Sequence, residues 1–545
     1  MSRWIVVGVM VMMMVAMGGT ARANVTNTYY VSTNGTPTYP FDTWAKATTN
    51  LQLAVLVAEQ AYGPGTNCMV LVTNGTYTMP TYGYSGYQVL TAVNIASIAG
   101  DGTNVTVVTA AAHGIAAGSV DDFANSKVGQ WVNIAGNTTV PAGYRGAYRV
   151  ASVANTTTFT YRNATTNAAT PGGDATAQAV SDFGMIRITK PITLASVNGY
   201  SNTILNVNAG SAASTTRRGI EVTATAAGAL IQGFTVQNAN HRGSTHPNLA
   251  NGAGGGAFLS AGTLKDCRLR NNYMDSPGNP RMYGAGVSIA SGATVSGCVI
   301  ENNSIGAWGS GGAGFSVASG GAVSNTIIRN NSAATGHTSQ TEAGGGGYAA
   351  GGTIRNCLFT GNTGPGGGGL YIYGSPTVEN CTFSTNWGFT ATDSPQNSQD
   401  WNRHYNSAGG VFIRYGSPVL RNNIYYFNQG QPTNGMAYQE YNVNTNRLLD
   451  PPAQPLDIVN LHSYSCAPEL GIATSPGNIT ADPLFVNRLA GDYRLTAGSP
   501  CVNAGTNLTW MTNAVDLSGT ARLVGQRPDM GAYELPPRGT SLILQ

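Results

Sequence analysis

The sequence predicts an all-β solenoid, in which short strands stack in parallel along one long axis, and two observations lead to this prediction. First, one motif recurs at varying intervals between about residues 252 and 428, and self-similarity of this kind indicates a solenoid, an array or a propeller. Second, each repeat holds two short segments of alternating apolar residues, such as 370–373 and 381–383, and no segment with helical periodicity. Helical and leucine-rich repeats are therefore excluded, and the interval from Cys357 to Cys381 is too short for a four-stranded propeller blade.

Three positions stay fixed from repeat to repeat and define the columns of the predicted solenoid. A glycine ends each glycine-rich run, a position that is mostly cysteine follows, and an asparagine comes five residues after that. The columns are Gly256, Gly286, Gly314, Gly347, Gly369 and Gly410; Cys267, Cys298, Thr326, Cys357, Cys381 and Asn423; and Asn272, Asn303, Asn331, Asn362, Asn386 and Asn428. In stacked parallel coils the asparagine amides donate and accept along their column, and a buried cysteine fills space as a small hydrophobe. The glycines allow the positive φ or close backbone approach that a tight corner needs.

These columns resemble those of the right-handed parallel β-helix proteins, the superfamily that includes the pectate lyases with their asparagine ladders. The resemblance implies a right-handed parallel β-helix over residues 182–430 with a structural ladder of asparagines. We expect an all-β fold in which this solenoid carries an N-terminal capping helix and a small inserted antiparallel β domain.

The N-terminus is predicted to be a secretory signal peptide, residues 1–23. Arg3 precedes an apolar run over residues 5–17, and a small-x-small cleavage pattern follows at 21–23. We therefore expect a chain that begins at Asn24 and is secreted, whether extracellular, at the cell surface or periplasmic. No later stretch reaches the length that crosses a membrane.

Residues 24–92 are predicted to hold the N-terminal cap and the first coils. Asp42 and Thr43 are expected to start a helix that runs to about Tyr62 and covers the open hydrophobic end of the solenoid. Residues 93–181 lack the three columns and contain short strands separated by turns, which predicts the inserted β domain. This insert weakly resembles the small β-barrel inserts of surface and phage-tail proteins, and both a recognition role and a purely structural one stay open.

The C-terminal part divides into an irregular polar connection, residues 431–465, and a cap, residues 466–545. The motifs of the cap are Asp482-Pro483-Leu484-Phe485-Val486, Gly491-Asp492-Tyr493-Arg494-Leu495, Gly498 to Gly505, Asp516-Leu517-Ser518-Gly519 and Pro528 to Glu534. They resemble the choice-of-anchor Q domain that ends many exported bacterial β-helix proteins. In that family an anchoring signal follows the domain, whereas residues 535–545 contain neither an apolar tail nor a lipidation cysteine, so we expect release from the membrane.

Metals and cofactors are not indicated. Asp516, Arg522 and Asp529 are expected to form turns and ion pairs that close the C-terminal end, since their spacing matches no compact calcium loop, although carboxylates of this kind also suit calcium. His241 and His246 would need a third ligand to hold zinc. We expect no cofactor.

The seven cysteines divide by position. The four cysteines of the second column and Cys68, within an apolar strand, are expected to be buried free thiols. Cys466 and Cys501 lie outside the repeats in loop-rich sequence, and we predict a disulfide between them because exported proteins form such bonds.

The balance of charge excludes one class of partner. Only 9% of the residues are charged, the formal net charge is +3, and no basic cluster occurs. We therefore expect no nucleic-acid partner and a monomeric chain.

The large differences in spacing all fall between each asparagine and the next glycine, so the long insertions between the repeats must leave one edge of the solenoid. Functional residues concentrate on loops held by a rigid scaffold. The loop 387–405 carries most of the chemistry, with Asp393, Asp400, Arg403 and His404 as candidate catalytic residues and with Trp387, Trp401, Tyr405, Trp308 and Arg281 as candidate substrate-binding residues at the same edge.

Two chemistries suit these residues. Glycoside hydrolysis needs two opposed carboxylates, whereas eliminative cleavage of a uronide needs a base such as His404 and a cation such as Arg403. No catalytic signature of a named lyase or hydrolase family is present, and a loop of this composition also suits a compact surface flap.

Two functional hypotheses follow. One is a carbohydrate-active protein that binds, or binds and cleaves, an extracellular polysaccharide or cell-surface glycan along the loops, as a polysaccharide lyase or glycoside hydrolase if it is an enzyme. The other is a non-catalytic surface, adhesion or structural protein whose repeats only present loops. The fold alone does not decide between them.

Overall fold

The computed structural model describes residues 25–63, 65–78, 92–115, 131–135, 140, 142–144, 146–163, 165–166, 168–169, 175–180, 186–207, 218–242, 253–275, 283–306, 311–333, 343–389, 407–430, 439–440, 442–445, 461–472 and 475–536. The predicted signal peptide lies outside these residues.

Most described strands form four parallel sheets, named A, B, C and D here in the order in which one coil visits them. A representative coil runs through Val287–Ile289 in sheet A, Thr294–Ser296 in sheet B, Val299–Glu301 in sheet C and Ser304–Ile305 in sheet D. Each strand pairs in parallel with its equivalent in the next coil. The predicted solenoid is confirmed, but a coil has four strands where the sequence pattern indicated two, because strands of two or three residues are too short to show alternation.

The strands are listed by sheet. Sheet A contains Ile186–Ile188, Ile220–Val222, Ala257–Leu259, Val287–Ile289, Phe315–Val317, Gly347–Ala349, Leu370–Ile372, Val411–Ile413 and Val443–Thr445. Sheet B contains Val25–Val31, Thr66–Val72, Thr193–Ser196, Leu230–Gln232, Thr263–Lys265, Thr294–Ser296, Ala322–Ser324, Thr353–Arg355, Thr377–Glu379, Val419–Arg421 and His462–Ser463. Sheet C contains Gly75–Thr78, Thr203–Asn206, Thr235–Gln237, Arg268–Arg270, Val299–Glu301, Ile327–Arg329, Leu358–Thr360, Thr382–Ser384 and Ile424–Tyr426. Sheet D contains Asn240–Arg242, Tyr273–Asp275, Ser304–Ile305, Gly311–Gly312, Ser332–Ala333, Ala343–Gly344, Thr363–Gly367, Trp387–Phe389, Gln429–Gly430 and Gln439–Glu440. The last of these strands is antiparallel to Gln429–Gly430.

The described residues also include several short 3-10 helices and a small separate hairpin. The 3-10 helices are Trp44–Lys46, Ala142–Tyr144, Ala224–Ala226, Pro468–Ile472, Arg488–Ala490 and Thr509–Met511. The hairpin pairs Phe485–Asn487 with Asp492–Leu495.

The segment 431–465 is more regular than its sequence suggests. Val443–Thr445 adds a strand to sheet A, and His462–Ser463 adds one to sheet B. The interpretation of this segment as an irregular connection was therefore wrong for these residues, because strands this short leave no pattern of their own.

Side chains from sheets A, B and C fill the interior with one continuous hydrophobic cluster. In the representative coil Val287, Ile289, Val295 and Ile300 point inward and are at most 1% exposed. Because every coil repeats this arrangement, the core grows by stacking and needs no globular centre.

The asparagine column forms the predicted ladder of hydrogen bonds. The Nδ2 of Asn303 donates to Oδ1 of Asn331 over 3.0 Å, and the backbone N–H of Asn303 donates to the same oxygen over 3.0 Å. The second Nδ2 hydrogen of Asn303 reaches the carbonyl oxygen of Leu269 in sheet C over 3.0 Å. The same pattern holds for Asn272, Asn303, Asn331, Asn362, Asn386 and Asn428, all at most 1% exposed. Buried amides are thus fully paired, which is the condition for polar groups in a core.

The ladder continues one step further and then ends on a carboxylate. Asn442 accepts from the Nδ2 of Asn428 over 2.9 Å, and its own backbone N–H donates to Oε1 of Glu469 over 2.6 Å. Each asparagine sends its backbone N–H and one Nδ2 hydrogen toward the C-terminal end. A carboxylate, which only accepts, is therefore suited to end the series. The repeat pattern misses Asn442 because no glycine run or cysteine position precedes it.

We predict that Asn331→Ala lowers the free energy of unfolding by about 2–4 kcal/mol, because buried groups lose their partners. Asn303 would lose the acceptor for two donors, and the Ile300 carbonyl would lose its donor. Urea denaturation followed by circular dichroism measures the change.

The matched control is Asn330→Gly. Asn330 is exposed with φ 53°, and Gly361 occupies the equivalent place one coil later, so the change should stay below about 1 kcal/mol. Equal losses in the two variants would contradict the contribution of the ladder.

The cysteine column consists of buried free thiols, as expected, and these thiols also form hydrogen bonds. The thiol of Cys267 donates to the carbonyl of Lys265 over 3.2 Å, and the backbone N–H of Cys267 donates to the sulfur of Cys298 over 3.4 Å. At the far end of the column the backbone N–H of Cys381 donates to Oδ1 of Asn423 over 2.8 Å. The column therefore selects small side chains that both donate and accept, which explains why threonine and asparagine also occur in it.

The capping helix, α1, spans Leu51–Ala61 and starts later than predicted. Thr48 pairs with the first strand of sheet B, since its N–H donates to the Tyr30 carbonyl over 3.1 Å. This pairing keeps the preceding chain extended, so Asn50 caps the helix instead, accepting from the backbone N–H of Leu53 over 3.1 Å.

Two polar side chains of α1 close the open edge of sheet A. Gln52 accepts from the backbone N–H of Arg187 over 2.6 Å and donates back to its carbonyl over 3.1 Å. Glu59 accepts from the backbone N–H groups of Thr189 and Lys190. Burial raises the pKa of Glu59, and these hydrogen bonds act against the rise. The first strand of sheet A therefore has no free edge where it faces the helix.

The predicted inserted domain is present as an antiparallel sheet with a core of its own. Its strands are Val93–Gly100, Asn104–Thr109, Trp131–Ala135, Gly146–Asn155, Thr158–Arg162, Ala168–Ala169 and Thr176–Val180. The last strand pairs with both Trp131–Ala135 and Val93–Gly100, which closes the sheet into a barrel.

The C-terminal segment 475–536 packs along the side of the solenoid. A row of asparagines with φ between 48° and 56° at the corner between sheets B and C holds it: Asn325, Asn356, Asn380 and Asn422. Their Nδ2 groups donate to backbone carbonyls of the segment, as Asn356 does to Val515 over 2.9 Å and Asn422 does to Thr506 over 2.9 Å. The solenoid end is instead covered by Pro468–Ile472, from which Leu470 joins the main core.

Asp516, Arg522 and Asp529 form a buried charged cluster with Glu534, as ion pairs were expected to do, but on the side of the solenoid and not at its end. Arg522 Nε lies 3.2 Å from Oε1 of Glu534. Asp516 accepts from the backbone N–H groups of Ser518 and Thr520, and Asp529 accepts from two further backbone N–H groups. Burial raises the pKa of Glu534 to about 8, and the charge of Arg522 acts against this rise.

Cys466 and Cys501 are buried in one cluster. The neighbouring thiol of Cys501 and burial raise the pKa of the Cys466 thiol. Both are free thiols in the structure. The predicted disulfide has therefore not formed there, although the two residues share one cluster.

We predict that oxidation of the folded protein joins Cys466 to Cys501 and raises the free energy of unfolding by about 3–5 kcal/mol, since the bond closes a loop in the unfolded chain. Peptide mapping by mass spectrometry after alkylation without reduction identifies the bond. Cys267 and Cys298, equally buried, should be recovered as alkylated thiols. Recovery of both Cys466 and Cys501 as alkylated thiols would refute the prediction.

His462 ends a column of stacked rings inside the solenoid. The column contains Phe359, Phe383 and Tyr425, and His462 meets the ring of Tyr425 edge-on with centroids 5.1 Å apart. His462 is fully buried, and neither ring nitrogen has a hydrogen-bond partner. Burial lowers the pKa of His462 to about 3, so the folded protein holds the neutral imidazole.

We predict that the protein loses stability as the pH falls from about 6.5 toward 3, by up to about 1.4 kcal/mol per pH unit from this group. The depressed pKa of His462 means that its contribution is fully present above the unfolded value and is lost on acidification. His462→Phe extends the ring column and should flatten the dependence of the urea midpoint on pH over this range. An unchanged slope in His462→Phe would contradict the assignment.

Candidate functional site

The long segments between the repeats leave the solenoid after a strand of sheet D and before the next strand of sheet A, as the sequence predicts. The segments 243–252, 276–282, 307–310, 334–342 and 390–406 all fall there and lie outside the described residues. The corners between sheets B and C and between sheets C and D are instead two residues long in the representative coil, and the first residue has positive φ, as Gly297 and Asn302 do. We call the boundary between sheets D and A the loop edge.

Glycine lines the loop edge because adjacent coils touch there. A Cβ atom on Gly314 would lie 2.3 Å from the Gly346 carbonyl oxygen, and one on Gly346 would lie 2.4 Å from that of Gly369. The glycine column therefore contains Gly346, and the assignment of Gly347 to it was wrong by one residue. Gly347 belongs to sheet A, where it pairs with Phe315 and Leu370; the run of four glycines hid the register.

A second small core stiffens the loop edge. Side chains of sheet D pack there against alanines of the glycine-rich runs, and this cluster contains Met274, Ala285, Ile305, Ala313, Ala333 and Ala343. The strands that carry the loops are therefore fixed on both sides of the edge.

Of the residues proposed for catalysis and substrate binding, the structure describes only Trp387. Outside the described residues lie Asp393, Asp400, Arg403, His404, Trp401, Tyr405, Trp308 and Arg281. Their roles stay predictions.

Trp387 and Phe389 form an aromatic corner on sheet D, directly before the loop 390–406, in which Trp387 is exposed and Phe389 is half-buried. The two side chains are two residues apart in one strand and therefore point to the same face. Their ring centroids lie 6.0 Å apart with the planes inclined by 65°, and Trp387 is 43% exposed. One ring can support a flat ligand face while the other bounds it.

Trp387 belongs to a column that the sequence analysis missed. Parallel register on sheet D places one residue from each coil in line, and these are Asn240, Tyr273, Ser304, Ser332, Thr363, Trp387 and Gln429. We call this set the polar column. All of its side chains are half-buried or exposed. The sequence does contain a pattern that marks this column: the residue directly after each ladder asparagine is tyrosine, serine, threonine, tryptophan or glutamine.

On the other flank of the loop edge, aromatic rings stack on the outer face of sheet A. Tyr348, Tyr371 and Phe412 lie in successive coils, with centroids 5.8 and 5.3 Å apart, and all three are at most 5% exposed. Tyr283 joins them 5.2 Å from Tyr348. A satellite cluster of this kind is typical of the base of long loops. We assign it to packing.

The N-terminal end of the same face carries a buried ion-pair network. Glu221 lies 3.4 Å from Nη1 of Arg218 and 3.5 Å from Nε of Arg187. Arg218 also donates to the carbonyls of Gly254 and Ala253 and stacks over Phe258. Burial lowers the pKa of Arg218, and Glu221 opposes this shift. These contacts anchor the strands next to the loop edge.

Among the described residues, no group of three histidine, cysteine, aspartate or glutamate side chains could hold a metal ion. Asp516 and Asp529 accept from backbone N–H groups, as structural carboxylates do. In the part of the chain that the structure describes, no helix is long and apolar enough to cross a membrane.

One family model agrees with the fold. The family model described as "Right handed beta helix region" matches residues 336–450, which include Trp387 and the coils around it. Among solved structures, the chain is similar to the crystal structure of the Pseudomonas phage phi297 tailspike gp61, at 13% identity, over 75% of this chain and 78% of that chain, with a TM-score of 0.14. No curated protein matches the sequence. With its four parallel sheets, the chain has the fold of a right-handed parallel β-helix.

Proposed function

We propose that this protein binds an extracellular polysaccharide at the loop edge. The observation that supports the proposal is the aromatic corner on sheet D, where the exposed ring of Trp387 lies against the half-buried ring of Phe389, directly before the segment 390–406. An indole ring offers a broad apolar face that complements the C–H face of a sugar ring, and it costs little conformational entropy to hold in place.

The surroundings of Trp387 favour a sugar over an apolar ligand. Thr363 and Gln429 are its neighbours in the two adjacent coils. Their hydroxyl and amide groups donate and accept hydrogen bonds, as the hydroxyl groups of a sugar do. A ring flanked by such groups offers stacking and hydrogen bonding to one ligand.

Binding is the activity that we propose. The hydrolytic scheme with Asp393 and Asp400 and the eliminative scheme with Arg403 and His404 stay hypotheses about the loop 390–406. The signal sequence predicted at residues 1–23 supports a site of action outside the cytoplasm, and secretion forms part of the proposal.

We predict that Trp387→Ala weakens polysaccharide binding about 10- to 30-fold, because a central aromatic contact is lost. A screen of soluble polysaccharides by affinity electrophoresis finds the ligand, and isothermal titration measures the change. Reducing and unsaturated ends are assayed in the same samples.

The matched control is Trp44→Ala, since Trp44 is also 43% exposed but lies in the N-terminal cap. Equal effects of the two substitutions would contradict a site at Trp387. Failure of every polysaccharide to bind would overturn the proposal and favour a non-catalytic surface or adhesion role. New chain ends, lost in Asp400→Asn or His404→Ala, would extend the proposal to catalysis.

A further inference from the structure

The polar column carries no charged side chain, whereas the outer faces of sheets B and C do. Its members supply two amides, three hydroxyls, a phenol and an indole. Sheet C, over the same coils, presents Arg268, Glu301 and Arg329, and sheet B presents Arg355 and Glu379. Sheet A, on the other flank of the loop edge, carries the uncharged residues Ser288, Ser316, Tyr348, Tyr371 and Phe412 in its outward register. The lack of charge is therefore shared by the polar column and these strands of sheet A, which flank the loop edge, and is not a property of the whole surface.

The column is also straight and regular, because the parallel register leaves one residue per coil in line. Paired strands lie about 4.8 Å apart, so the seven members span about 29 Å along the solenoid axis. This interval is close to the length of one sugar unit in an extended chain. A linear glycan lying along the axis would therefore meet one hydrogen-bonding or aromatic side chain for each sugar.

We infer that the polar column binds an uncharged, linear glycan that lies parallel to the solenoid axis, with Trp387 as its aromatic anchor. The inference rests on the proposed function and adds to it the class of ligand and its direction.

Charge is what separates this ligand from the uronide that the eliminative scheme would require. Carboxylates that leave water need a cation or several donors in return. The column offers amide and hydroxyl groups, which match sugar hydroxyls as both donors and acceptors. A neutral glycan therefore binds without loss of charge solvation, whereas an acidic glycan loses the hydration of its carboxylates and gains no cation in return. This difference in binding free energy would make the site specific for neutral chains.

The first experiment compares ligands on the full chain. Neutral polysaccharides (a glucan, a mannan and a xylan) are titrated beside polygalacturonate and alginate of matched length. We expect at least one neutral chain to bind about tenfold or more tightly than either acidic one. Affinity should also rise with oligosaccharide length up to about the span of the column. Tighter binding of an acidic chain, or affinity that is independent of length, would overturn the inference and leave polysaccharide binding itself intact.

The second experiment places a charge at the middle of the column. Ser332 is exposed on sheet D, and Ser332→Lys should weaken binding of long neutral oligosaccharides about tenfold while leaving short ones, held at Trp387, unchanged. Ser319→Lys is the matched control, since Ser319 is exposed in the same coil at the corner between sheets A and B.

These variants distinguish binding along the whole polar column from binding at the aromatic corner alone. Loss of binding in Trp387→Ala with full binding in Ser332→Lys would overturn the column and keep the aromatic site. Equal losses in Ser332→Lys and Ser319→Lys would also overturn it, since the effect would then come from net charge. If no polysaccharide binds, the proposed function and the inference both fail.

Discussion

Parallel, in-register pairing between coils is the constraint on which the rest of this structure depends. It places each side chain above and below its own equivalents, so that every position becomes a column. A buried polar group must then find its partner among copies of itself. Asparagine meets this condition because its amide both donates and accepts, as Asn303 does with Asn331. The thiol of Cys298 and the hydroxyl of Thr326 meet it at the next corner.

The same pairing leaves unpaired backbone and amide groups at the two ends of the solenoid, where no further coil follows. Polar side chains form hydrogen bonds with these groups at both ends. At the N-terminal end, Gln52 of α1 accepts from the N–H of Arg187 in the first strand of sheet A, and Glu59 accepts from the N–H of Thr189 directly after that strand. At the C-terminal end, Glu469 accepts the last donors of the asparagine ladder. In both places a side-chain oxygen accepts from N–H groups that have no partner in a further coil, because the sheet edge and the last step of the ladder both end in donors. The solenoid therefore has a defined length.

Pairing also decides where function can sit. Two-residue corners whose first residue has positive φ, as Gly297 and Asn302 do, tolerate no insertion without loss of register. The loop edge does tolerate insertion, because the chain re-enters sheet A through a glycine run after each loop. The C-terminal segment covers part of sheet C, where Tyr493 bonds to Thr360 and Thr385. Sheet D is left to carry the exposed side chains nearest to the loops.

The sequence by itself determined the solenoid, the ladder, the free thiols, the insert and the edge from which loops emerge. Each of these repeats along the chain or interrupts a repeat, and a repeat is visible without coordinates. Tertiary structure alone decided the pairing of the C-terminal segment with Asn356 and Asn422, the end groups Gln52 and Glu469, and the line from Asn240 to Gln429. The contacts of the C-terminal segment and of the end groups join residues far apart in the chain, so they produce no periodic pattern in the sequence. The polar column does have a period, but its residue types vary, so only the register of sheet D shows that they lie together.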